Sequence, residues 1–94
     1  MTCYVDQLRS YPDHPSRQPH WCHLVTDGDL EELHAFAARL GIPRQRFQHR
    51  SKYPHYDLPP ARRALAIQLG AVPISSREMV RILRARHPQP DRSR

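Results

Sequence analysis

With 94 residues, 38% of them hydrophobic, and ten prolines against three glycines, the chain can bury one modest core and no more. No run approaches the roughly 18 apolar residues of a membrane-spanning helix. The opening MTCYVDQLRS has no basic start followed by an apolar stretch, so no signal peptide is expected and the cytoplasm is the default compartment. The net charge of +6 is unevenly divided, with residues 1–43 at −3 and residues 44–94 at +9. Fourteen of the fifteen basic residues are arginine, a bias that suits phosphate contacts and equally suits a solvated face. Cys3 and Cys22 allow one disulfide by arithmetic, but without an export signal they read as buried free thiols.

In chain order, TCYVD (Thr2 to Asp6) is a short β-branched and aromatic run and predicts a strand. Residues 7–19 carry Pro12, Pro15 and Pro19 and form neither a helix nor a central strand. HWCHLVTD supplies a second strand centred on Trp21 to Val25. A helix follows: Asp29 and Glu32 have capping-box spacing, with Asp27 as the other candidate cap. Leu30, Leu33, Ala37 and Leu40 make its apolar stripe, and Gly41 and Pro43 end it. RQRFQHRSKY predicts an irregular crossing.

A second helix starts after Asp57, with Pro59 and Pro60 where missing N–H groups cost nothing. Ala61, Ala64, Leu65, Ile67 and Leu69 cover most of its circumference, so it is expected to be well buried. Gly70 stops it before a short edge strand in AVPI. Ser75 and Glu78 form a second capping box for a helix to about Arg86, with Met79, Val80, Ile82 and Leu83 facing inward. Residues 88–94 read as a disordered polar tail. These elements predict one α/β or α+β domain over residues 1–87, a sheet of about three or four strands under about three helices. CHLVTD running into the first helix, and the second helix running through Gly70 into AVPI, both look like halves of parallel crossovers.

Asp6 and Asp27 both fall where strands give way to loops, the edge at which open α/β sheets bind ligands. His55 and Asp57, two apart in an extended segment, point the same way. The pair can hold a metal or act as base and orienting partner; alternatively Asp57 caps the helix and His55 is a surface residue. Arg62 and Arg63 in the first helical turn oppose the dipole, and they fit an anion gathered there or an internal pair with Asp57. His23 at the sheet edge and His34 on the first helix are further candidates. HWCH lacks the paired spacing of a structural zinc site, and alternation sends Cys22 and His23 to opposite faces. Ser75 and Ser76 sit in no Gly-x-Ser-x-Gly turn, and three glycines are too few for a nucleotide phosphate loop, so kinase, P-loop ATPase and dehydrogenase chemistry is excluded. Arg77, Arg81 and Arg84 form a stripe that could track a nucleic-acid backbone.

YVD, CHL with TD behind it, ELH, FQ, HYD, RRALA and GAV, in that order, resemble the family of short bacterial and phage proteins catalogued as domain of unknown function 4031. The resemblance spans about residues 2–75, with the proline-rich loop and the arginine-rich C-terminal extension as departures. It implies a shared site with Asp6, His23, His34, His55, Asp57 and Arg63 as polar members, and it implies no reaction.

The expectation is a domain that binds a phosphate ester such as a nucleotide or nucleic-acid backbone, with hydrolysis of that ester as its candidate reaction. Arg62 and Arg63 hold the phosphate; His55 with Asp57 or His23 is the acid–base pair, or the His/Asp set holds a divalent metal. The competing expectation is a non-catalytic accessory module that binds nucleic acid or protein through its basic half. Cofactor and oligomeric state are left open.

Overall fold

The computed structural model describes residues 2–49 and 53–86. Its elements are β1 (Cys3–Val5), β2 (Arg9–Ser10), β3 (His20–Thr26), α1 (Leu30–Arg39), a 3-10 turn (Arg44–Arg46), β4 (Tyr56–Leu58), α2 (Pro60–Gln68), β5 (Val72–Pro73) and α3 (Ser76–Arg86). The polar tail expected at residues 88–94 lies outside the described residues. No helix among them is long and apolar enough to cross a membrane.

The longest strand, β3, organises the sheet. It pairs antiparallel with β1 (Val5 opposite Leu24), with β2 (Arg9 opposite Trp21) and with β4 (His23 opposite Asp57). β1 also pairs in parallel with β5, which completes a mixed sheet of five strands and an α+β fold. Asp6 N–H still donates to the His23 carbonyl at 3.3 Å in the register of β1, whereas Arg9 opposite Trp21 belongs to a register one residue further on. Gln7 and Leu8 therefore share the place opposite Cys22, a bulge of the kind that re-aims side chains. β1 and β2 run along one edge of β3, and β4 takes the other.

This connectivity revises one expectation and supports another. β3–α1–β4 joins antiparallel neighbours, so it is not a parallel crossover, whereas β4 through α2 to β5 joins strands that run the same way. Because β1 and β3 are antiparallel, Asp6 and Asp27 lie at opposite ends of the sheet. Asp27 accepts from Thr2 N–H at 2.8 Å and from the Tyr4 hydroxyl at 3.0 Å, which ties down the start of β1.

Strand alternation divides the molecule into two layers of packing. Cys3, Val5, Cys22, Leu24, Tyr56 and Leu58 point to one face, where Leu33, Phe36, Ala37 and Leu40 of α1 and its C-terminus and Ala66 of α2 cover them. On the opposite face Val25 packs with Met79 and Leu83 of α3, flanked by Tyr4, Tyr53 and Ile74. Asp29 caps α1 through the reciprocal pair with Glu32, and Gly41 follows at φ +76°. Ser75 Oγ accepts from Glu78 N–H at 3.1 Å before α3. Two helices are less buried than their composition suggests. In α2 only Ala66 is fully buried, and in α3 Val80 remains 40% exposed. Both helices lie on an outer side of the sheet, so an all-round apolar helix has nothing to cover its far side. Cys3 and Cys22 are buried free thiols. Burial, followed by the negative charge of Asp6, pushes the Cys22 thiol up to about 12, so it is chemically quiet.

Candidate metal centre

α3 covers only part of its face of the sheet, and the uncovered part carries polar side chains. Trp21 and His23 from β3, Asp57 from β4, His55 just before β4 and Asp6 just after β1 all have the parity of that face. His55 is held in line by an isolated bridge to Gln48.

Two of the imidazoles are oriented by the same device. His23 Nδ1 lies 2.8 Å from Asp6 Oδ2, while Asp6 Oδ1 accepts the His23 backbone N–H at 2.7 Å. Asp6 is 2% exposed, so this carboxylate is built into the sheet. His55 Nδ1 lies 2.8 Å from the Tyr53 carbonyl, which can only accept, so Nδ1 carries the proton. With each Nδ1 engaged, the lone pair of each neutral ring sits on Nε2. Such a partner at the far nitrogen is the usual mark of a metal-ligating histidine.

Ligand atoms of three residues gather here. His55 Nε2 is 3.3 Å from Asp57 Oδ1, and one ligand atom from each of His23, His55 and Asp57 falls within 4.8 Å of the other two. Two ligands on a tetrahedral ion with bonds of about 2.1 Å are about 3.4 Å apart, so His55 and Asp57 are already at ligand spacing. The His23 ligand atom needs to close by at most about 1.4 Å on that geometry. The rings of His23 and His55 meet edge to face, with centroids 4.8 Å apart.

Electrostatics tie the pair together. Burial alone pulls the His55 pKa down, but the hydrogen bonds to Asp57 and Tyr53, with the charges of Asp57 and Asp6, outweigh it and leave the value raised. Burial pushes Asp57 up, and the hydrogen bond and charge of His55, helped by His23 and His14, more than reverse this. Asp57 does not cap α2: the capping position belongs to Pro59, which has no side-chain hydrogen bond to offer.

Of the remaining expected residues, His34 and Arg63 leave the centre and Arg62 stands beside it. His34 lies across the sheet on α1, where its Nδ1 is 2.7 Å from the hydroxyl of buried Tyr56 and its ring meets Phe47 edge to face. Its pKa is lowered by burial and by the charge of Arg44, which is itself paired with Glu31. Arg63 turns inward, and its Nε donates to the Asp6 carbonyl at 2.8 Å. The adjacent arginines therefore do not form a common anion site: successive helical residues point about 100° apart. Arg63 instead braces the backbone just before the bulge.

Three clefts meet at the centre. The first, about 210 Å³, is lined by His23, His55 and Asp57 together with Tyr11, His14 and Trp21. The second, about 270 Å³, shares His23 and His55 and adds Asp6, Arg9 and the α3 residues Ser76, Met79 and Val80. The third, about 200 Å³, shares Trp21 and Asp57 and adds Arg46 and Arg62. Trp21 is fixed by its Nε1–H donating to the Gln18 carbonyl at 2.8 Å, and His14 stacks on it at 4.9 Å and 26°. The proline-rich loop thus supplies one wall of the first cleft. Tyr11, His14, Trp21 and Arg9 are absent from the sequence-based candidates; the one available signal was the period-two step from His23 back to Trp21.

A family model described as a protein of unknown function (DUF4031) matches residues 3–86. It runs through α3, so the arginine-rich helix falls inside the matched region and not beyond it. No curated protein and no solved structure matches the chain.

Proposed function

Because the chain belongs to the DUF4031 family, which brings no activity to transfer, we propose from the site alone that it is a metal-dependent hydrolase of phosphate esters. One observation carries this reading: two histidines, each engaged at Nδ1 by an acceptor, gather at the Asp57 carboxylate, His55 with its Nε2 at 3.3 Å and His23 with a ligand atom within 4.8 Å. Two imidazoles and one carboxylate suit a first-row transition ion such as Zn²⁺, Mn²⁺ or Fe²⁺ and leave coordination positions open to the clefts.

An ion held by His23, His55 and Asp57 would supply a Lewis acid able to lower the pKa of water toward neutrality. In the net reaction water would give its oxygen to phosphorus as the ester P–O bond breaks, and the departing oxygen would take up a proton from water. Asp6 and the Tyr53 carbonyl keep the two imidazoles in the required tautomer. Arg9 on one side and Arg62 with Arg46 on the other are placed to meet the phosphate oxygens.

Calorimetric titration of the purified protein with Zn²⁺ and Mn²⁺ tests the centre. One ion per chain is expected, with affinity reduced at least about tenfold in His55→Ala and in Asp57→Ala. A metal-loaded protein that also hydrolyses bis(p-nitrophenyl) phosphate supports the reaction class. Absence of binding for both ions in the intact protein overturns the metal reading and leaves the non-catalytic binding module in its place.

A further inference from the structure

The three clefts share walls. The first contains all of His23, His55 and Asp57, the second shares the two histidines, and the third shares Asp57 and Trp21. They adjoin one another around the His–Asp centre through these shared side chains. A guanidinium lines each of the two outer clefts, Arg9 the second and Arg46 with Arg62 the third. All three arginines are exposed and make no ion pair among the described residues. Arg44 meets Glu31, Arg63 meets the Asp6 carbonyl and Arg81 meets Glu78, whereas Arg17, Arg77 and Arg84 are, like Arg9, Arg46 and Arg62, exposed and without an ion pair among the described residues. The first cleft, which shares side chains with both of the others, carries the rings of His14 and Trp21, stacked on each other.

We infer that the occupant is a single-stranded nucleic acid laid across the centre, with phosphates on both sides of the one attacked. This rests on the proposed hydrolytic centre and names its substrate class. A free nucleotide has its phosphates at one end and can engage one flank only. A strand presents a phosphate at every residue and an unpaired base for stacking, the combination that charged grooves with interleaved aromatic rings recognise. A duplex keeps its bases stacked on one another, so Trp21 and His14 gain nothing from it. Beyond Val80, which lines the second cleft, Arg77, Arg81 and Arg84 continue the basic surface along α3.

The test uses fluorescence anisotropy on the full chain without added metal, so that the probe stays intact. The probes are labelled single-stranded DNA and RNA of about twelve nucleotides, with the matching duplexes and a nucleoside monophosphate as competitors. The single strand should bind more than about tenfold tighter than the monophosphate and the duplex, with a log–log salt slope of about −2 for three phosphate contacts. Arg9→Ala and Arg62→Ala should each weaken binding and each reduce that slope by about 0.7. Trp21 is the sole tryptophan, so its emission should be quenched by the strand.

Equal competition by the monophosphate, equal binding of the duplex, or indifference to either arginine overturns the inference. The two readings fail separately. Metal binding with no preference for a strand sinks only the substrate class. A strand held by both flanks in a protein that takes up no metal sinks only the hydrolytic centre.

Discussion

At the scale of single residues, Asp6 does the least visible work with the largest consequence. It is buried and accepts both the backbone N–H and Nδ1 of His23. Asn in its place keeps the shape but offers only one acceptor oxygen, so one of the two bonds is lost or its donor faces an amide N–H. Asp6→Asn is therefore expected to weaken metal binding about 10- to 100-fold while the fold persists, read by calorimetry and circular dichroism. Unchanged affinity would show that the His23 tautomer is fixed by something else. His55, Asp57 and His23 are visible in the sequence because two-residue spacing and strand parity put functional groups on one face. Arg63 is misleading for an equally physical reason: a helix start beside a charged pair suggests an anion, and only the fold shows that the guanidinium is spent on the Asp6 carbonyl.

At the scale of elements, the caps, stops and apolar stripe of α1 are legible because they depend on neighbours within four residues. The direction of the sheet connections is not, since β3–α1–β4 could lie parallel or antiparallel with the same local signals. His34 shows the same limit. Its place on the helical wheel marks it as half-buried, yet only the fold reveals that it bridges α1 to β4 through Tyr56. His34 also has a pH signature, set by burial and by the charge of Arg44. Because the folded-state pKa of His34 is lowered, the unfolded chain protonates first as the pH falls, and stability is lost between the ordinary value of 6.5 and the lower folded one. Above that window the contribution is complete. Thermal melts of wild type and His34→Gln across pH 5 to 8 should diverge above the window and draw together on the acid side; parallel curves would remove His34 from the titration.

At the scale of the whole molecule, the sheet separates two tasks. Its α1/α2 face is sealed by apolar packing, and its other face is only half covered by α3, which leaves a polar region backed by a rigid floor. A ligand that binds only the folded state stabilises it by about 2.7 kcal/mol at a hundred times its Kd. For a domain of this size each kcal/mol moves the melting temperature by roughly 4–8 °C. Saturating Zn²⁺ or Mn²⁺ should therefore raise Tm by about 10–20 °C on those figures, with His55→Ala unresponsive. An equal rise in the variant would place the ion somewhere else on the chain.

The inward turn of Arg63 has a consequence for how this protein tolerates change. One guanidinium, rooted in a helix on the sealed side, ends on the backbone of the residue whose side chain aims His23 on the open side. The two faces are thus joined through this contact. Damage anywhere along α2 can slacken the aim of the centre before it loosens the molecule, so a lineage of variants screened for heat resistance alone could drift into sound folds that have lost their chemistry.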